Sequence, residues 1–322
     1  MKLQILSLTL LVLVAFTGCS DDIVDTTKGK GVELTIKNFT PSRSGETYAL
    51  WFAFPKSSIV PKGAQPQHGT LVFKLVSTFD VDASGKIIGL DTADLEEKLG
   101  TDLALVVHAQ VSVEQVGAVV DSPRAPLIVG EITGSASTGK ATLTTAHFEA
   151  IGFDFLGVTG KATFASPAYA PDDYKGELYL MNATSATSIS NGLDKLPPLP
   201  ATWKYAMWVV DSSTKSLPPF NIFYGYFLVP SGSDSNPNDN RFAYPGGRYP
   251  ADTTQPVKDI VNGLQMNVYV SLEPNFGIVR PTVPFGAVVA HGLVPTGIGA
   301  YMPFPIPNVA AKLPTAELII NR

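Results

Sequence analysis

The sequence predicts a mainly β protein made of two tandem, immunoglobulin-like β-sandwich domains, each with one short helix. Short apolar segments rich in Val, Ile, Thr and aromatic residues recur along the chain, and clusters of Gly, Pro, Ser and Asp separate them. Short motifs of the first half also return in the same order in the second half, which indicates a duplicated domain. Several short strands and one helix in each half are typical of two packed sheets.

The internal repeat is carried by pairs of matching segments. They are 32–40 with 176–184, 48–52 with 205–209, 111–114 with 270–273, and 123–126 with 281–284. Each match alone is weak, but matches that keep one order are hard to produce by chance. We therefore place the first domain at 31–165 and the second domain at 174–322.

The strands of the first domain are predicted from their apolar patterns. Residues 32–37 (VELTIK) alternate apolar and polar side chains, as a strand with one buried face does. The predicted strands are 32–37, 48–54, 69–79, 103–113, 126–132 and 141–145. Residues 151–173 are predicted to add a further hairpin to this domain and to end in a linker.

Each domain is also predicted to contain one helix. Asp91 and Thr92 precede the segment ADLEEKL, and Gly100 follows it. In the second domain Thr253 and Thr254 precede QPVKDIVN, which ends at a glycine. A capping residue before the helix and a glycine after it are the usual signals for its two ends.

The composition excludes several classes of protein. The 23 basic and 28 acidic residues leave a net charge of −5, so the whole chain is not a basic nucleic-acid-binding protein. A single cysteine excludes a disulfide framework and a site of several thiolates. The histidines, at 68, 108, 147 and 291, show no zinc-binding spacing, and no Gly-x-Ser-x-Gly motif occurs. We therefore expect a non-enzymatic protein with no catalytic residues and, calcium aside, no cofactor.

The N-terminus has the pattern of a lipoprotein signal peptide. Lys2 precedes an apolar run over residues 5–16, which is shorter than the roughly 20 residues of a membrane span. Residues 16–19 (Phe-Thr-Gly-Cys) resemble the lipobox of bacterial lipoproteins, although that family usually has Leu at the position of the Phe. The resemblance implies removal of residues 1–18 and acylation of Cys19, and two or three acyl chains anchor a protein stably. The alternative is a secreted protein with an unpaired thiol.

Residues 19–30 are predicted to form a polar, lipidated tether. Ser20-Asp21-Asp22 resembles the acidic export signal of Bacteroidetes-type lipoproteins, which implies the outer membrane and the cell surface. In other bacteria an early Asp can retain a lipoprotein at the inner membrane, so the membrane stays open. No other apolar stretch of 18 residues occurs, and the lipid is the expected membrane anchor.

Both repeats resemble the extracytoplasmic domain of anti-sigma-K factors. That domain often carries Tyr-x-Leu-Trp, as at 48–51, and a Ser-x-Glu-Pro-x-Gly segment, which residues 271–277 keep in part. Residues 114–117 match the second pattern loosely and lack the proline. The family senses signals outside the membrane and binds a sigma factor inside. Because this sequence shows no transmembrane or cytoplasmic segment, only the fold is expected to carry over.

One segment matches a calcium-binding loop. Asp80, Asp82 and Ser84 supply oxygen atoms at alternate positions, Gly85 follows, and Asp91 stands at the last ligand position. Oxygen ligands spaced in this way can surround one hard cation. The alternative is a hairpin tip, because Asp-Ala-Ser-Gly is also a turn sequence and a strand precedes the loop.

Aromatic residues are concentrated between positions 203 and 249. Trp203, Phe242, Tyr244 and Tyr249 are predicted to contribute to a ligand surface for a glycan or a peptide. The alternative is that these rings cover an edge of the protein's own sheet. Trp51 and Trp208 lie in apolar strands and are expected to be core residues.

The remaining candidates are given structural roles. Glu114 and Glu273 are expected to bond a nearby backbone N–H group or a cation, and His108 and His291 to pack or bond in the sheets. The favoured function is thus a lipid-anchored envelope protein that binds, scaffolds or senses an envelope protein, peptide or glycan. The alternatives are an envelope hydrolase with a cleft framed by the loops of 228–256 and a calcium-stabilised, adhesin-like module.

Overall fold

The computed structural model describes residues 31–56, 71–118, 120–135, 137–165, 177–211, 221–232, 235, 242–248, 266–277 and 281–321, together with the backbone of 24–28. We call the described residues up to 165 the first half and those from 177 the second half. The protein is mainly β, with several antiparallel sheets and one short α-helix in the described residues. None of the described helices is long and apolar enough to cross a membrane.

The first half contributes ten strands and the helix. The strands are β1 Val24–Lys28, β2 Val32–Lys37, β3 Glu46–Pro55, β4 Leu71–Val81, β5 Ile87–Ile88, β6 His108–Gln115, β7 Ala125–Glu131, β8 Thr133–Gly134, β9 Thr138–Leu143 and β10 Thr159–Phe164. Helix α1 spans Leu95–Leu99, and a 3-10 turn spans Leu103–Leu105.

The second half contributes eleven strands and a 3-10 turn at Ala310–Lys312. The strands are β11 Glu177–Tyr179, β12 Met181–Ser185, β13 Ser188–Asn191, β14 Leu193–Asp194, β15 Trp203–Asp211, β16 Asn221–Phe227, β17 Gly246–Arg248, β18 Met266–Pro274, β19 Val288–Leu293, β20 Phe304–Ile306 and β21 Thr315–Asn321. The second predicted helix, at 255–262, lies outside the described residues.

The predicted elements of the first half are largely found. β2 has the predicted bounds, and its side chains alternate between buried and half-buried. Helix α1 ends at Gly100, whose φ of 61° is the left-handed conformation that glycine adopts readily. The predicted strand at 103–113 is wrong at its start: the Asp102 side chain accepts a bond of 2.7 Å from the backbone N–H of Ala104 and caps a 3-10 turn instead.

The two halves contain sheets with the same strand order, apart from the additional edge strand β5 in the first half. The order is β5-β4-β3-β6-β7 in the first half and β16-β15-β18-β19 in the second. Tyr48 of β3 and Tyr205 of β15 face equivalent residues of β6 and β18. β3 and β15 also carry equivalent bulges, directly before Trp51 and Trp208 respectively. The strand pairing therefore follows the internal repeat in detail.

The match between 123–126 and 281–284 is not kept by the pairing. Ser112 of β6 faces Pro126, whereas the equivalent Ser271 of β18 faces Val288. Pro126 thus corresponds to Val288 and not to Pro284. Prolines mark where a strand begins, but ladder hydrogen bonds and side-chain packing set its register.

The final strand of each half pairs with a strand near the start of the other half. β21 lies between β2 and β9, and β10 pairs with β11 and with β20. The predicted division into separate domains at 31–165 and 174–322 is therefore corrected, because each half completes a sheet of the other. The hairpin predicted within 151–173 is corrected for the same reason. A strand's apolar pattern shows which of its faces is buried but not which strand it joins.

The two halves also share one apolar core. Leu34 of β2 and Leu318 of β21 belong to the same buried cluster as Phe164 of β10 and Leu178 of β11. The Trp203 indole N–H donates a bond of 2.9 Å to the Pro126 carbonyl and joins the halves directly. The predicted tether at 19–30 is corrected in part, because residues 24–28 form β1 on the outer edge of β2, as their β-branched side chains allow.

Candidate functional site

Each half buries the same polar arrangement at the end of a central strand. In the first half the Trp51 indole N–H donates a bond of 2.9 Å to the Ser112 hydroxyl. That hydroxyl donates a bond of 2.6 Å to Oε1 of Glu114, which also accepts a bond of 3.0 Å from the Arg124 backbone. We call this arrangement the Trp–Ser–Glu motif. It gives Glu114 the structural role that the sequence predicts.

The second half repeats the Trp–Ser–Glu motif on β15 and β18. The Trp208 indole N–H, the Ser271 hydroxyl and the Phe285 backbone N–H all donate to Oε1 of Glu273, at 3.3, 2.6 and 3.0 Å. Burial raises the pKa of Glu273, and the neighbouring Arg43 and these hydrogen bonds oppose the rise. A buried carboxylate with several donors is well satisfied, which again favours a structural role.

Arg43 reaches from the first half to Glu273 of the second. Its Nη1 atom lies 2.5 Å from Oε2 of Glu273, while Nε and Nη2 bond the Glu46 carboxylate at 2.9 and 2.6 Å. Burial alone would lower the pKa of Arg43, but the two carboxylates outweigh it and raise the pKa. The guanidinium also lies over the Phe285 ring. Arg43 is thus an electrostatic link between the halves.

A cleft opens beside this ion pair, and both halves line it. Its volume is about 310 Å³. The lining residues include Glu46, Gln115, Tyr226, Phe276 and Thr282. This volume is at the lower end of the range for small-ligand pockets. Aromatic rings beside an amide, a hydroxyl and a carboxylate give the cleft both apolar and hydrogen-bonding walls.

Charged side chains of both signs surround the cleft. The Lys204 ammonium lies 3.3 Å from the centroid of the Tyr226 ring and donates a bond of 3.4 Å to the Gly277 carbonyl. Burial lowers the pKa of Lys204 and raises that of Tyr226. Arg124 lies over the Phe276 ring and donates a bond of 2.7 Å to Oε1 of Gln115, so it adds a further cation beside the cleft.

The predicted aromatic ligand surface is not formed as expected. Trp203 is fully buried, so its ring cannot contact a ligand. Phe242 and Tyr244 are half-buried and pack on a small cluster around Tyr179, and the Phe242 and Tyr179 rings are 5.0 Å apart. Tyr249 lies outside the described residues. Trp203, Phe242 and Tyr244 thus pack on the protein's own strands, which is the alternative to a ligand surface.

The predicted calcium loop does not bring its carboxylates together. Asp80 turns away from the loop and accepts bonds of 2.8 and 2.9 Å from the backbone and hydroxyl of Ser42. Asp82 accepts bonds from the backbone and hydroxyl of Ser84 at the tip of a tight turn, and these bonds lower its pKa. Asp91 accepts from the backbone two residues ahead. The geometry is that of a hairpin tip, in which each carboxylate already has local donors.

The structure brings His108, Glu131 and His147 together. His108 and Glu131 are cross-strand partners on β6 and β7, and His147 lies in the loop after β9. Each of the three offers one nitrogen or oxygen atom, and these atoms lie within 4.8 Å of one another. In the described residues this is the one group of at least three such side chains close enough to hold a metal ion.

Two hydrogen bonds set the proton positions on these histidines. The Nδ1 atom of His108 lies 2.8 Å from the buried Glu149 carboxylate, which accepts, so this nitrogen carries a proton. The His147 Nδ1 atom accepts a bond of 3.2 Å from the Glu149 backbone N–H. The proton of a neutral His147 ring is then on Nε2, which is buried without a hydrogen-bond partner in the described structure. Burial, with the nearby His108 ring, lowers the pKa of His147.

Neither a scan against protein-family models nor searches of curated proteins and of solved structures find a match to this chain. The resemblance to the extracytoplasmic domain of anti-sigma-K factors thus rests on the short motifs alone. Those motifs contain Trp51, Trp208 and Glu273, which the structure places in the buried Trp–Ser–Glu motifs.

The sequence interpretation missed both Arg43 and the histidine group. Arg43 stands in a polar loop before β3, and no local pattern shows that it contacts Glu273. His108 and His147 are separated by β7, β8 and β9, so no zinc-binding spacing links them. The only sequence signal available was His108 in the middle of an apolar run, where a lone imidazole needs a polar partner.

Proposed function

We propose that this chain is a lipid-anchored protein of the bacterial cell envelope that acts as a non-enzymatic binding module. The anchor is supported by the lipobox-like residues 16–19, which lie outside the described structure. Cys19 is five residues before Val24, and an extended chain of that length spans about 17 Å. The edge of the sheet at which β1 begins would then lie close to the membrane.

An exposed apolar loop at that edge supports the same orientation. Val24 faces Lys37, Lys37 faces Thr315, and β9 ends beside the start of β21. The loop that follows β9 exposes Phe148 and Leu156 by 64% and 61%. Exposed apolar side chains in one loop are typical of a contact surface.

The anchor is tested by labelling cells with radioactive palmitate. The full chain should take up label and fractionate with the outer membrane, and Cys19→Ala should abolish both. Unlabelled wild-type protein would contradict the anchor, and label in the inner membrane would contradict only the outer-membrane location that Ser20-Asp21-Asp22 implies.

The orientation is tested with a thiol probe, because acylated Cys19 leaves no other cysteine. A fluorophore at Phe148→Cys should be quenched by nitroxide lipids in vesicles that carry the protein. Val116→Cys is the matched control: Val116 is 65% exposed and lies beyond the other end of β6, about 25 Å from His108. Equal quenching at both positions would contradict the orientation.

The cleft between the halves is the observation that carries the binding role. Its walls combine the Tyr226 and Phe276 rings with the Gln115 amide and the Glu46 carboxylate. Sugars present both apolar faces and hydroxyl groups, so a short neutral glycan fits these walls best. Glu46 and Glu273 are both bound to Arg43, which gives the hydrolase alternative little support in the cleft.

Titration calorimetry with N-acetylglucosamine oligomers tests this assignment. We expect saturable binding that Phe276→Ala weakens about tenfold, the effect of losing roughly one good aromatic contact. Phe148→Ala, an exposed ring outside the cleft, is the control and should bind as the wild type does. Binding to short neutral peptides but not to the oligomers would replace the glycan by a peptide, and binding to neither would overturn the role of the cleft.

A further inference from the structure

The group of His108, Glu131 and His147 is built from elements that the cleft does not use. His108 and Glu131 are fixed as cross-strand partners by the ladder between β6 and β7. The loop that holds His147 is closed by bonds of 2.9 Å from Ala150 to the His147 carbonyl and 2.8 Å from Gly152 to the Thr145 carbonyl. A sheet and a tied loop thus hold the three side chains in place.

The hydrogen bond to Glu149 prepares His108 for a metal. Because Nδ1 donates to a buried carboxylate at 2.8 Å, a neutral His108 ring keeps its lone pair on Nε2. Metal-binding histidines usually donate their other nitrogen to a carboxylate in this way, which fixes the ring and increases its basicity. Glu149 is itself almost completely buried, as an orienting carboxylate would be.

His147 offers a ring nitrogen that lacks a hydrogen-bond partner in the described structure. Its Nε2 atom is buried and has no hydrogen-bond partner among the described residues, although a buried polar nitrogen normally has one. Binding a metal at Nε2 moves the ring proton to Nδ1 and gives up the long 3.2 Å bond from the Glu149 backbone. One weak hydrogen bond is thus exchanged for a ligand bond at an atom that now has no partner.

We propose that His108, Glu131 and His147 bind a divalent transition-metal ion, best matched by Zn²⁺. Two imidazoles and one carboxylate are ligands that zinc prefers, whereas calcium selects oxygen ligands. Zinc ligands in a tetrahedron lie about 3.3 Å apart, so the ligand atoms, now within 4.8 Å, must draw together by a rotation of the side chains. Three protein ligands leave a fourth position for water. The ion would link the loop after β9 to strands β6 and β7.

Zinc binding to the full, untagged chain tests this proposal. The protein is stripped with a chelator and titrated with Zn²⁺ against a colorimetric zinc indicator, and bound metal is counted by mass spectrometry. We expect one ion per chain. Co²⁺ in its place should give the visible absorption of a tetrahedral site, a signature that adventitious surface binding does not produce.

Matched variants separate a metal site from a structural histidine pair. His147→Ala should lower the zinc affinity by at least about 100-fold, and Glu149→Gln by about 10- to 100-fold through His108. His291→Ala is the control: His291 is also half-buried, but it bonds Asn267 at 2.9 Å on the other half. It should bind zinc as the wild type does, and circular dichroism checks that each variant folds.

The outcomes decide the proposal without reference to the cleft or the lipid anchor. Stoichiometric binding that His147→Ala removes and His291→Ala keeps supports it. No saturable zinc binding by the wild type, or equal binding by the wild type and a folded His147→Ala variant, would overturn it. Binding of Ca²⁺ in preference to Zn²⁺ would overturn the choice of metal.

Discussion

Glu114 and Glu273 occupy equivalent positions, yet their second carboxylate oxygens differ in their hydrogen bonding. In both, Oε1 accepts from a serine of the same strand and from a backbone N–H group. Oε2 of Glu273 also bonds Arg43, whereas Oε2 of Glu114 is buried without a hydrogen-bond partner in the described structure. The repeat therefore preserves a local polar motif, and only the second copy uses it to hold the halves together.

This difference shows how a duplicated fold becomes one unit. The first copy of the Trp–Ser–Glu motif bonds only groups of its own half, and burial raises the pKa of Glu114 against its hydrogen bonds and the charge of Arg124. The second copy receives Arg43 from the loop that precedes β3, so its carboxylate stabilises contact between the halves. The exchanged strands β10 and β21 do the same on a larger scale.

The largest effect is expected from removing β21. Deleting residues 315–322 leaves β2 and β9 without the strand between them and exposes the apolar face that Leu318 and Ile320 cover. Both halves should then lose cooperative unfolding in calorimetry. A truncated protein in which the second half still melts cooperatively would show that the exchanged strand is not shared structure. Deleting Arg322 alone, which lies beyond β21, is the control.

Arg43→Met should cost about 3–5 kcal/mol of unfolding free energy. It leaves the buried Glu273 carboxylate without its cation, while the methionine keeps much of the apolar stem. Urea denaturation measures the loss. Lys98→Met is the control, because the Lys98–Asp91 pair is exposed and screened by water, so its loss should change stability far less. A similar small loss in both variants would contradict the role of Arg43.

The matched pair Glu273→Gln and Glu114→Gln tests the comparison directly. Glu273→Gln breaks the bond to Arg43 and should destabilise the protein by about 2 kcal/mol. Glu114→Gln keeps the acceptor at Oε1 and breaks no ion pair, so it should change stability by less than about 1 kcal/mol. Equal losses in the two variants would show that the two copies are energetically alike.

The smallest effect is a pH dependence from Glu114. Its folded pKa lies above the ordinary value of 4.5, so folding favours the protonated carboxyl. The stabilisation is present below that value and is lost as the pH rises through the folded pKa. Wild-type stability relative to Glu114→Gln should therefore fall as the pH rises above the ordinary value of 4.5, as measured by thermal melting. A constant difference would mean that the pKa of Glu114 is not raised.

Local patterns predicted the local structure well. The alternation in VELTIK predicted β2, and the glycine after ADLEEKL predicted the end of α1. The predicted start was wrong, because α1 begins at Leu95 and its N-cap residue, Asp94, makes no side-chain capping bond. The segment LALVV at 103–107 misled, because Asp102 caps a turn that apolar content alone does not reveal. That β21 pairs with strands of the first half was not predictable from one sequence, because its apolar pattern would suit the equivalent position in either half.

The site was less predictable than the fold. Glu114 and Glu273 could be assigned to backbone bonding because each follows an apolar strand in both copies of the repeat. Asp80 and Asp82 had calcium-loop spacing, but Ser42 and Ser84, one of them distant in sequence, take their oxygens. The approach of His108 to His147 depends on the antiparallel bridge between Val129 of β7 and Thr144 directly after β9, which no spacing rule contains.

The position of β21 also sets the order in which the molecule can be completed. Val32 of β2 pairs with Ile320 of β21, roughly 290 residues later, so the ribosome must synthesise β21 before that ladder can form. Contacts between such distant residues slow folding. Until β21 emerges, the facing edges of β2 and β9 are unpaired, and a chaperone could shield them. Maturation thus depends on this seven-residue strand.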